Sequence, residues 1–395
     1  MLFSAQAGYQ IVMIDLNVLK DCFHRHFPGS EPLLFSAPGR INIIGEHTDY
    51  NGGFVLPASI DKAISAAIAP NESGTVNIWS VDKNEKVSFA VGGSKPSALW
   101  ACYPYGVVEE MRKRGAAVGG FDAVFGGDVP LGAGMSSSAA LESCFGVALN
   151  TVFNLGFTRE DLAKIGQMTE HNYVGVKCGI MDQFASIFGE EGKVVRLDCR
   201  SLEYSLVPFN PEGLRLVLID TMVKHSLASS QYNVRREQCE AGVSVVARHK
   251  PGVELLRDVT MDDLDACREE MDPVVYRRCS FVIRENARLM AACAAMERGD
   301  YQELGRQIYA AHEGLSKDYE VSCKELDFLV DVAKSHSGVL GARMMGGGFG
   351  GCVIALVKEE CFEEFIADAR RRYSAEYSKN PRIIEVSISN GARQC

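Results

Sequence analysis

The feature that most constrains this 395-residue chain is the stretch "PLGAGMSSSAALE" at residues 130–142. The preceding "GFDAVFGGDVP" alternates as a strand does, and Leu141, Phe145 and Leu149 then recur at helical spacing. We therefore expect a strand, a glycine-rich loop and a buried helix in succession. Backbone N–H groups at the start of such a helix bind phosphate, and glycines allow close approach. For the loop alone, an ordinary serine-capped turn is an equally good interpretation.

The loop lacks the lysine of a Walker P-loop, so a phosphate site here needs positive charge from elsewhere. The segment "APGRINIIGEHTDYNGG" supplies Arg40 together with Glu46, His47, Asp49 and Asn51, crowded between apolar residues. Charged groups in such a frame are costly to bury unless something polar lies between them. A solvated turn is the simpler interpretation of any one of these residues. One histidine among carboxylates is weak support for a metal site.

A third polar segment, "TEHNYVGVKCGIMDQF", contains Glu170 and Asp182. Glu170 is expected near the end of a helix that begins with a Thr158/Asp161 capping pattern and ends near Gly175. The helix dipole disfavours an anion at that end, and a bound Mg²⁺ would remove the penalty. Asp182 lies in an apolar frame, where a structural salt bridge or a general base would account for it.

Composition narrows the class of protein. The net charge of −10 argues against nucleic-acid binding. Thirteen cysteines without a CxxC pair indicate free thiols in a reducing compartment, with Cys144 and Cys352 as core residues. The first residues do not form a convincing signal peptide, and no apolar run is long enough to span a bilayer. We therefore expect a cytoplasmic monomer without nucleic-acid or membrane partners.

The remaining pattern predicts a mixture of helices and strands in two domains. A helix at 14–26, two strand segments divided by Pro38-Gly39, and strands at "ISAAIAP", "TVNIWSV" and "KVSFAVG" precede a helix at 100–114. A central strand at "LRLVLID", a helical region from 229 to about 335, and a last helix and strand at "CFEEFIADARRRY" and "RIIEVSIS" follow. The pattern changes near 215–225, which predicts an N-terminal domain, 1–215, and a C-terminal domain, 216–395.

The polar segments, taken in order with "MGGGFGGC" at 345–352, resemble the GHMP-kinase family. "GRINIIGEHTDYNGG" is similar to a sugar signature of that family, "PLGAGMSSSAALE" to its ATP loop, and "MGGGFGGCVIAL" to its third glycine-rich motif. The similarity runs from about residue 33 to 357 and includes "KHSLASSQYNVRREQC"; residues before about Leu33 receive no function. The resemblance implies a two-domain α+β fold with the active site in the inter-domain cleft.

The resemblance also implies a reaction. It is the transfer of the γ-phosphoryl group of ATP, with Mg²⁺, to the C1 hydroxyl of α-D-galactose, giving galactose 1-phosphate and ADP. N-acetylgalactosamine or a related sugar is the alternative substrate, although "EHTDYNGG" is closer to the galactose pattern. A galactose and ATP sensor without turnover is the alternative of a different class.

Individual roles follow from the family pattern. Asp182 matches the catalytic aspartate and Arg40 the arginine beside it. The positions that match contacts to sugar hydroxyls are Glu46, His47, Asp49, Gly179 and Tyr232. The ATP loop comprises Gly132, Ala133, Gly134, Met135, Ser136, Ser137 and Ser138. Glu170 and one serine, Ser137 or Ser138, match the Mg²⁺ ligands. The glycines at 345–352 support the phosphate loop, with a tight hairpin as the simpler interpretation.

These roles suit phosphoryl transfer, in which a protein mainly positions reactants and stabilises dispersed negative charge. Arg40 beside Asp182 would keep that carboxylate ionised, so that it can take the proton of a sugar hydroxyl. The sequence leaves open whether Asp182 removes this proton or only orients the hydroxyl, and we favour the base. Mg²⁺, backbone N–H groups and Arg40 would together replace the missing lysine.

Overall fold

The computed structural model describes residues 15–130, 132–209, 211–223 and 228–395. Within these residues the strands are β1 (Leu33–Asn42), β2 (Phe54–Val55), β3 (Pro57–Asn71), β4 (Thr75–Ser80), β5 (Glu85–Ala90), β6 (Gly120–Gly127), β7 (Lys193–Asp198), β8 (Tyr204–Pro208), β9 (Leu214–Asp220), β10 (Val339–Met345), β11 (Cys352–Lys358), β12 (Arg382–Glu385) and β13 (Arg393–Gln394). The α-helices are α1 (Leu16–His26), α2 (Cys102–Lys113), α3 (Ser137–Val152), α4 (Arg159–Thr169), α5 (Met181–Phe188), α6 (Ala228–Val246), α7 (Met261–Ala266), α8 (Pro273–Glu297), α9 (Tyr301–Glu313), α10 (Lys324–Lys334) and α11 (Phe362–Tyr377).

The strands form three sheets. The largest has the order β13-β1-β3-β6-β4-β5, a four-stranded sheet has the order β10-β11-β9-β12, and a small sheet has the order β2-β7-β8. The predicted central strand is β9, which pairs on both sides within the second sheet. The predicted domain boundary at residue 215 falls at the start of β9, and it stays a prediction. The carboxyl terminus returns to the first sheet through β13.

One strand prediction was wrong. Residues 33–42 form a single strand, β1, rather than two segments divided at Pro38-Gly39. Pro38 has no N–H to donate, and the pairing register with β3 shifts between Pro38 and Arg40. The proline therefore disturbs the hydrogen-bond ladder without ending the strand. Glycine is required next to it, because a Cβ atom at Gly39 would lie 2.7 Å from the Met135 carbonyl oxygen.

The predicted strand, loop and helix around residues 120–152 are confirmed as β6 and α3. Leu141, Phe145, Ala148 and Leu149 are buried along α3, as their spacing predicted. Leu131 in the loop lies outside the described residues. The capping box of Thr158 and Asp161 at the start of α4 is also confirmed. A π-helical turn, Glu170–Val174, extends α4 to Gly175, which has a left-handed conformation.

Both interpretations of the third glycine segment hold. It connects the antiparallel strands β10 and β11, with Met345 opposite Cys352, so it is a hairpin. It also packs against the first glycine loop, because a Cβ atom at Gly134 would lie 3.0 Å from the Met345 carbonyl oxygen. The hairpin therefore supports the loop through close backbone contact.

The other predictions can be compared directly with the described residues. The helical region after residue 229 contains α6 to α10, and the N-terminal helix is α1; residues 14 and 224–227 lie outside the described ranges. All thirteen cysteines fall inside those ranges, where each has a free thiol, and Cys144 and Cys352 are buried. Among the described helices, none combines the length and apolarity that crossing a membrane requires.

Candidate active site

The glycine loop is attached to β1 at Arg40. The Arg40 amide donates to the Met135 carbonyl oxygen at 3.1 Å, and its guanidinium donates to the Gly134 carbonyl oxygen. The side chains of Ala133 and Met135 are buried in the core. Ala133 and Met135 can therefore contact a ligand only through their backbone atoms. Gly132 and Gly134 have positive φ angles of 76° and 75°, which glycine adopts without strain.

Arg40 and Asp182 form a bidentate ion pair in which Arg40 is buried and Asp182 is half-buried. Arg40 Nε lies 2.9 Å from Asp182 Oδ1, and Arg40 Nη2 lies 3.0 Å from Asp182 Oδ2. Asp182 is in the first turn of α5, where the helix dipole favours an anion. The Ser136 hydroxyl donates to the same carboxylate. Segments that are distant along the chain thus converge on one carboxylate, as the resemblance implied.

The three serines of the loop point to different partners. Ser136 caps α3 with a left-handed backbone and bonds Asp182. The Ser138 hydroxyl lies close enough to Glu170 to lower the pKa of that carboxyl group, and both residues line the cavity beside Asp182. Ser137 is the first residue of α3 and does not line this cavity. Of the two serines considered as metal ligands, Ser138 is therefore the one near Glu170.

A cavity of about 250 Å³ is lined by residues between 40 and 182 and by three residues from later in the chain, Tyr232, Gly346 and Gly347. Its walls contain Arg40, Asp182 and all five residues that the resemblance assigns to the sugar, which are Glu46, His47, Asp49, Gly179 and Tyr232. The other lining residues are Tyr103, Ser138, Glu170, Val176, Cys178, Met181, Gly346 and Gly347. Polar side chains that converge in a concave site are the usual arrangement for binding a small ligand.

Glu46 is held by an arginine that the sequence analysis did not identify. Arg343 Nη1 and Nη2 lie 3.2 and 3.1 Å from Glu46 Oε1, and the Gly346 amide donates to the same oxygen at 2.9 Å. Arg343 is fully buried and also donates to the carbonyl oxygens of Asn42, Ile43 and Met344. The available signal was a lone charge in the apolar strand "GVLGARMM".

His47 is buried at the back of the cavity in a left-handed backbone conformation, with φ of 63°. Its Nδ1 atom lies 2.9 Å from the Tyr50 hydroxyl, and its Nε2 atom is buried without a hydrogen-bond partner among the described residues. Burial lowers the pKa of the ring to about 3, so the imidazole is neutral at pH 7. Tyr232 packs against it with ring centroids 5.3 Å apart.

Asp49 is half-buried and lies against Gly179. A Cβ atom at Gly179 would lie 1.9 Å from Asp49 Oδ2, so only glycine fits at that position. Burial raises the pKa of Asp49 from 3.8 to about 7, and the nearby charge of Asp182 adds to the effect. Within the described ranges Asp49 forms no ion pair. A donor from a bound ligand would complete its hydrogen bonding.

Glu170 is also buried without an ion-pair partner in the described part of the chain. Burial raises its pKa to about 7, and the nearby Ser138 hydroxyl opposes that rise. A second carboxyl group missed by the sequence analysis, Glu142 on α3, is buried nearby and accepts from Gln183 Nε2 at 2.9 Å. Its signal was again a lone charge in an apolar helix. The Glu170 carboxylate and the Ser138 hydroxyl are the kind of oxygen ligands that Mg²⁺ binds. The described residues contain no group of three or more His, Cys, Asp or Glu side chains that could hold a metal by themselves.

Comparisons with known proteins identify the family of this chain. The galactokinase galactose-binding signature matches residues 21–70, the N-terminal domain of GHMP kinases matches 102–190, and their C-terminal domain matches 291–375. The chain is 37% identical to a galactokinase of Roseiflexus sp. over 96% of this chain and 97% of that protein. It is 39% identical to a galactokinase of Thermosipho africanus over 90% and 97% of the two chains.

Solved structures give the same result. The crystal structure of Lactococcus lactis galactokinase complexed with galactose matches with a TM-score of 0.93 at 34% identity, over 96% of this chain and all of that one. Methanococcus jannaschii mevalonate kinase shares the fold, with a TM-score of 0.65 at 16% identity over 92% of this chain and all of that one. The predicted two-domain α+β fold of the GHMP kinases is confirmed. The chain belongs to the galactokinase family of GHMP kinases.

Proposed function

We propose that this chain transfers the γ-phosphoryl group of ATP to the C1 hydroxyl of α-D-galactose, giving galactose 1-phosphate and ADP. One observation carries the proposal. The Arg40–Asp182 pair is bonded to the glycine loop on one side and opens onto the cavity of Glu46, His47 and Asp49 on the other. A phosphate donor and a sugar acceptor bound on these two sides would meet at Asp182.

Asp182 would act as the general base. A sugar hydroxyl is a weak nucleophile, and a carboxylate within hydrogen-bond reach takes its proton as the O–P bond forms. The O–P bond to ADP breaks in the same displacement, and ADP leaves with the electron pair. Arg40 holds both oxygens of the carboxylate and fixes their direction. The same guanidinium stabilises negative charge on the moving phosphoryl group.

The phosphates would lie along the glycine loop, where backbone N–H groups and the amino end of α3 favour anions. Arg40 supplies the positive charge that a Walker lysine supplies elsewhere. Glu170 and Ser138 would hold Mg²⁺, which neutralises phosphate charge when bound. The sugar would contact Glu46, His47, Asp49, Gly179 and Tyr232, because all five line one cavity. His47 Nε2 also has no hydrogen-bond partner among the described residues.

A phosphorylation screen tests the reaction and its alternatives. ADP release is measured with Mg²⁺-ATP and galactose, N-acetylgalactosamine, glucose or arabinose at equal concentration. We expect galactose to give the highest kcat/KM. Faster turnover of N-acetylgalactosamine would assign the chain to that substrate. Galactose binding by calorimetry without any ADP release would indicate the sensor, because the fold would then be kept without chemistry.

The two candidate metal serines are tested against each other. In Ser138→Ala we expect the Mg²⁺ concentration for half-maximal activity to rise by about 10-fold, since a metal ligand is lost. The matched control, Ser137→Ala, removes the neighbouring hydroxyl and should leave that concentration unchanged. The opposite pattern would assign the metal to Ser137. Equal values for both variants and the unmodified protein would remove the serines from the metal site.

Localisation and assembly belong to the same proposal. A cytoplasmic enzyme agrees with thirteen free thiols, which a reducing compartment preserves. A monomer suffices for the reaction, because one chain supplies every residue named above. Size-exclusion chromatography with light scattering measures the assembly state directly.

A further inference from the structure

A chain of buried hydrogen bonds runs from His47 away from the sugar cavity, and the reaction described above uses only His47 itself. His47 Nδ1 and the Tyr50 hydroxyl are 2.9 Å apart, and the hydroxyls of Tyr50 and Tyr319 are 2.7 Å apart. The Tyr319 hydroxyl lies 3.2 Å from Cys239 Sγ. All four side chains are buried. Because water cannot substitute for a missing partner there, each hydrogen atom in the chain has a defined direction.

The backbone holds His47 against this chain. Its φ of 63° is uncommon for a residue other than glycine, and Asn51 Nδ2 donates to its carbonyl oxygen at 2.9 Å. Strained backbone of this kind persists where the surrounding structure fixes it, and it is common at functional sites. The ring is therefore presented to the cavity in one orientation.

A neutral imidazole carries only one N–H proton, so it has two tautomers. Burial keeps the pKa of His47 at about 3, and the ring is neutral at pH 7. Nδ1 faces Tyr50, whereas Nε2 is buried without a hydrogen-bond partner among the described residues. The backbone of Gly347 lies beside the ring but does not complete a bond to Nε2. The proton is on one of these two atoms, and its place decides what the ring can bind.

The charge of the cavity favours the proton on Nε2. The cavity walls carry the carboxyl groups of Glu46, Asp49 and Asp182, which attract an N–H group and repel a lone pair. With the proton on Nε2, the Tyr50 hydroxyl donates to Nδ1 and the Tyr319 hydroxyl donates to Tyr50. The Cys239 thiol then donates to Tyr319.

We propose that Tyr50, Tyr319 and Cys239 are positioning residues that fix His47 in the tautomer with its proton on Nε2. The ring then recognises the substrate as a hydrogen-bond acceptor. This inference rests on the proposed function, because the acceptor is a hydroxyl oxygen of the sugar. A sugar without that oxygen leaves a buried N–H group unpaired, and such sites discriminate strongly between substrates.

The tautomer can be measured without any sugar. The full chain is labelled with ¹⁵N-histidine, and the ring signals of His47 are identified by their loss in His47→Gln. We expect a protonated Nε2 and an unprotonated Nδ1 in the unmodified protein, and a mixture of both tautomers in Tyr50→Phe. A proton on Nδ1 in the unmodified protein would overturn the proposal. This outcome does not depend on which sugar is phosphorylated.

Kinetics then test the consequence. In Tyr50→Phe we expect the KM for galactose to rise by about 10-fold while the KM for ATP stays the same, since only the sugar loses its donor. Tyr105→Phe is the matched control, because it removes another buried hydroxyl, which donates to the Gly93 carbonyl oxygen at 2.9 Å, and should change neither KM. Equal effects of Tyr50→Phe on both KM values would show a merely structural role. Failure of the unmodified protein to phosphorylate galactose would refute the proposed reaction and leave the ¹⁵N result valid.

Discussion

Two arginine–carboxylate pairs border the same cavity, and they differ in what else they bind. Arg40 and Asp182 share two hydrogen bonds, and the Asp182 side chain keeps 27% of its surface exposed. Arg343 and Glu46 are 0% and 3% exposed, and a single oxygen of Glu46 accepts both guanidinium bonds. The first pair opens onto the cavity, whereas the second is enclosed by backbone carbonyl and amide groups.

This difference in exposure suits Asp182 to proton transfer and Glu46 to positioning the substrate. A carboxylate that moves a proton needs access to the substrate, and Asp182 has it. Glu46 is fixed by Arg343 and by the amide of Gly346, so it can orient a hydroxyl but has little freedom to move. A buried ion pair adds little net stability, yet the loss of one partner is costly. Substitutions in the two pairs should therefore affect different measurements.

The largest effect is expected for Asp182→Asn. This variant keeps the shape of the side chain and removes the base, so kcat should fall by about 10²–10⁴-fold. The melting temperature should fall less than in a variant of the enclosed Arg343–Glu46 pair, because the Asp182 side chain is 27% exposed and an asparagine oxygen can still accept from Arg40. Asp128→Asn is the control, since Asp128 is a buried carboxylate of the same half that binds the Ala63 amide at 2.7 Å. A kcat close to that of the unmodified protein would refute the general base.

Arg343→Met should reverse that pattern. It leaves Glu46 buried without its partner, so the free energy of unfolding in urea should fall by about 3–5 kcal/mol. The KM for galactose should rise in whatever fraction stays folded, because Glu46 is no longer fixed. The double variant Arg343→Met/Glu46→Gln removes the stranded charge and should recover part of the stability. An unchanged unfolding midpoint in Arg343→Met would show that the pair is not held as described.

The smallest effect is expected for Asp49, a third carboxylate of the same cavity, which forms no ion pair with the described residues. Its pKa is raised from 3.8 to about 7, so the folded protein holds this proton more tightly than the unfolded chain. The resulting stability is fully present below about pH 4 and is lost as the pH rises to about 7. Asp49→Asn should reduce the fall in unfolding free energy over that range by roughly 3–4 kcal/mol. An identical pH profile in the variant would place the proton elsewhere.

The sequence was sufficient for most of the fold. Hydrophobic periodicity located β6, α3, α4 and β9, because each has a regular pattern and a recognisable start or end. The periodicity predicted a break at Pro38-Gly39 that does not occur, because pairing with the neighbouring strand β3 keeps β1 extended there. Such a pairing depends on residues far along the chain, which a local pattern does not contain.

Site residues were predicted from the sequence only where a short segment contains several polar residues or a charge in an unfavourable position. Arg40 and Asp182 are predictable because a charge among apolar residues needs a partner, and Glu170 is predictable because the helix dipole disfavours an anion at its position. Arg343 and Glu142 are also single charges in apolar elements, and that signal alone predicts no role for either. The partner of Glu46 lies 297 positions away in the chain, so its role follows from the fold alone.

The enclosure of Arg343 also limits how this protein can move. Its guanidinium donates to Asn42 and Ile43 on one side and to Met344 on the other, so it fastens the two halves of the chain at their junction. Separating the two halves there would leave the Arg343 guanidinium and several carbonyl oxygens without hydrogen-bond partners, at a cost of several kcal/mol. We therefore expect substrates to enter and leave through the mouth of the cavity beside Asp182, while the junction stays closed throughout the catalytic cycle.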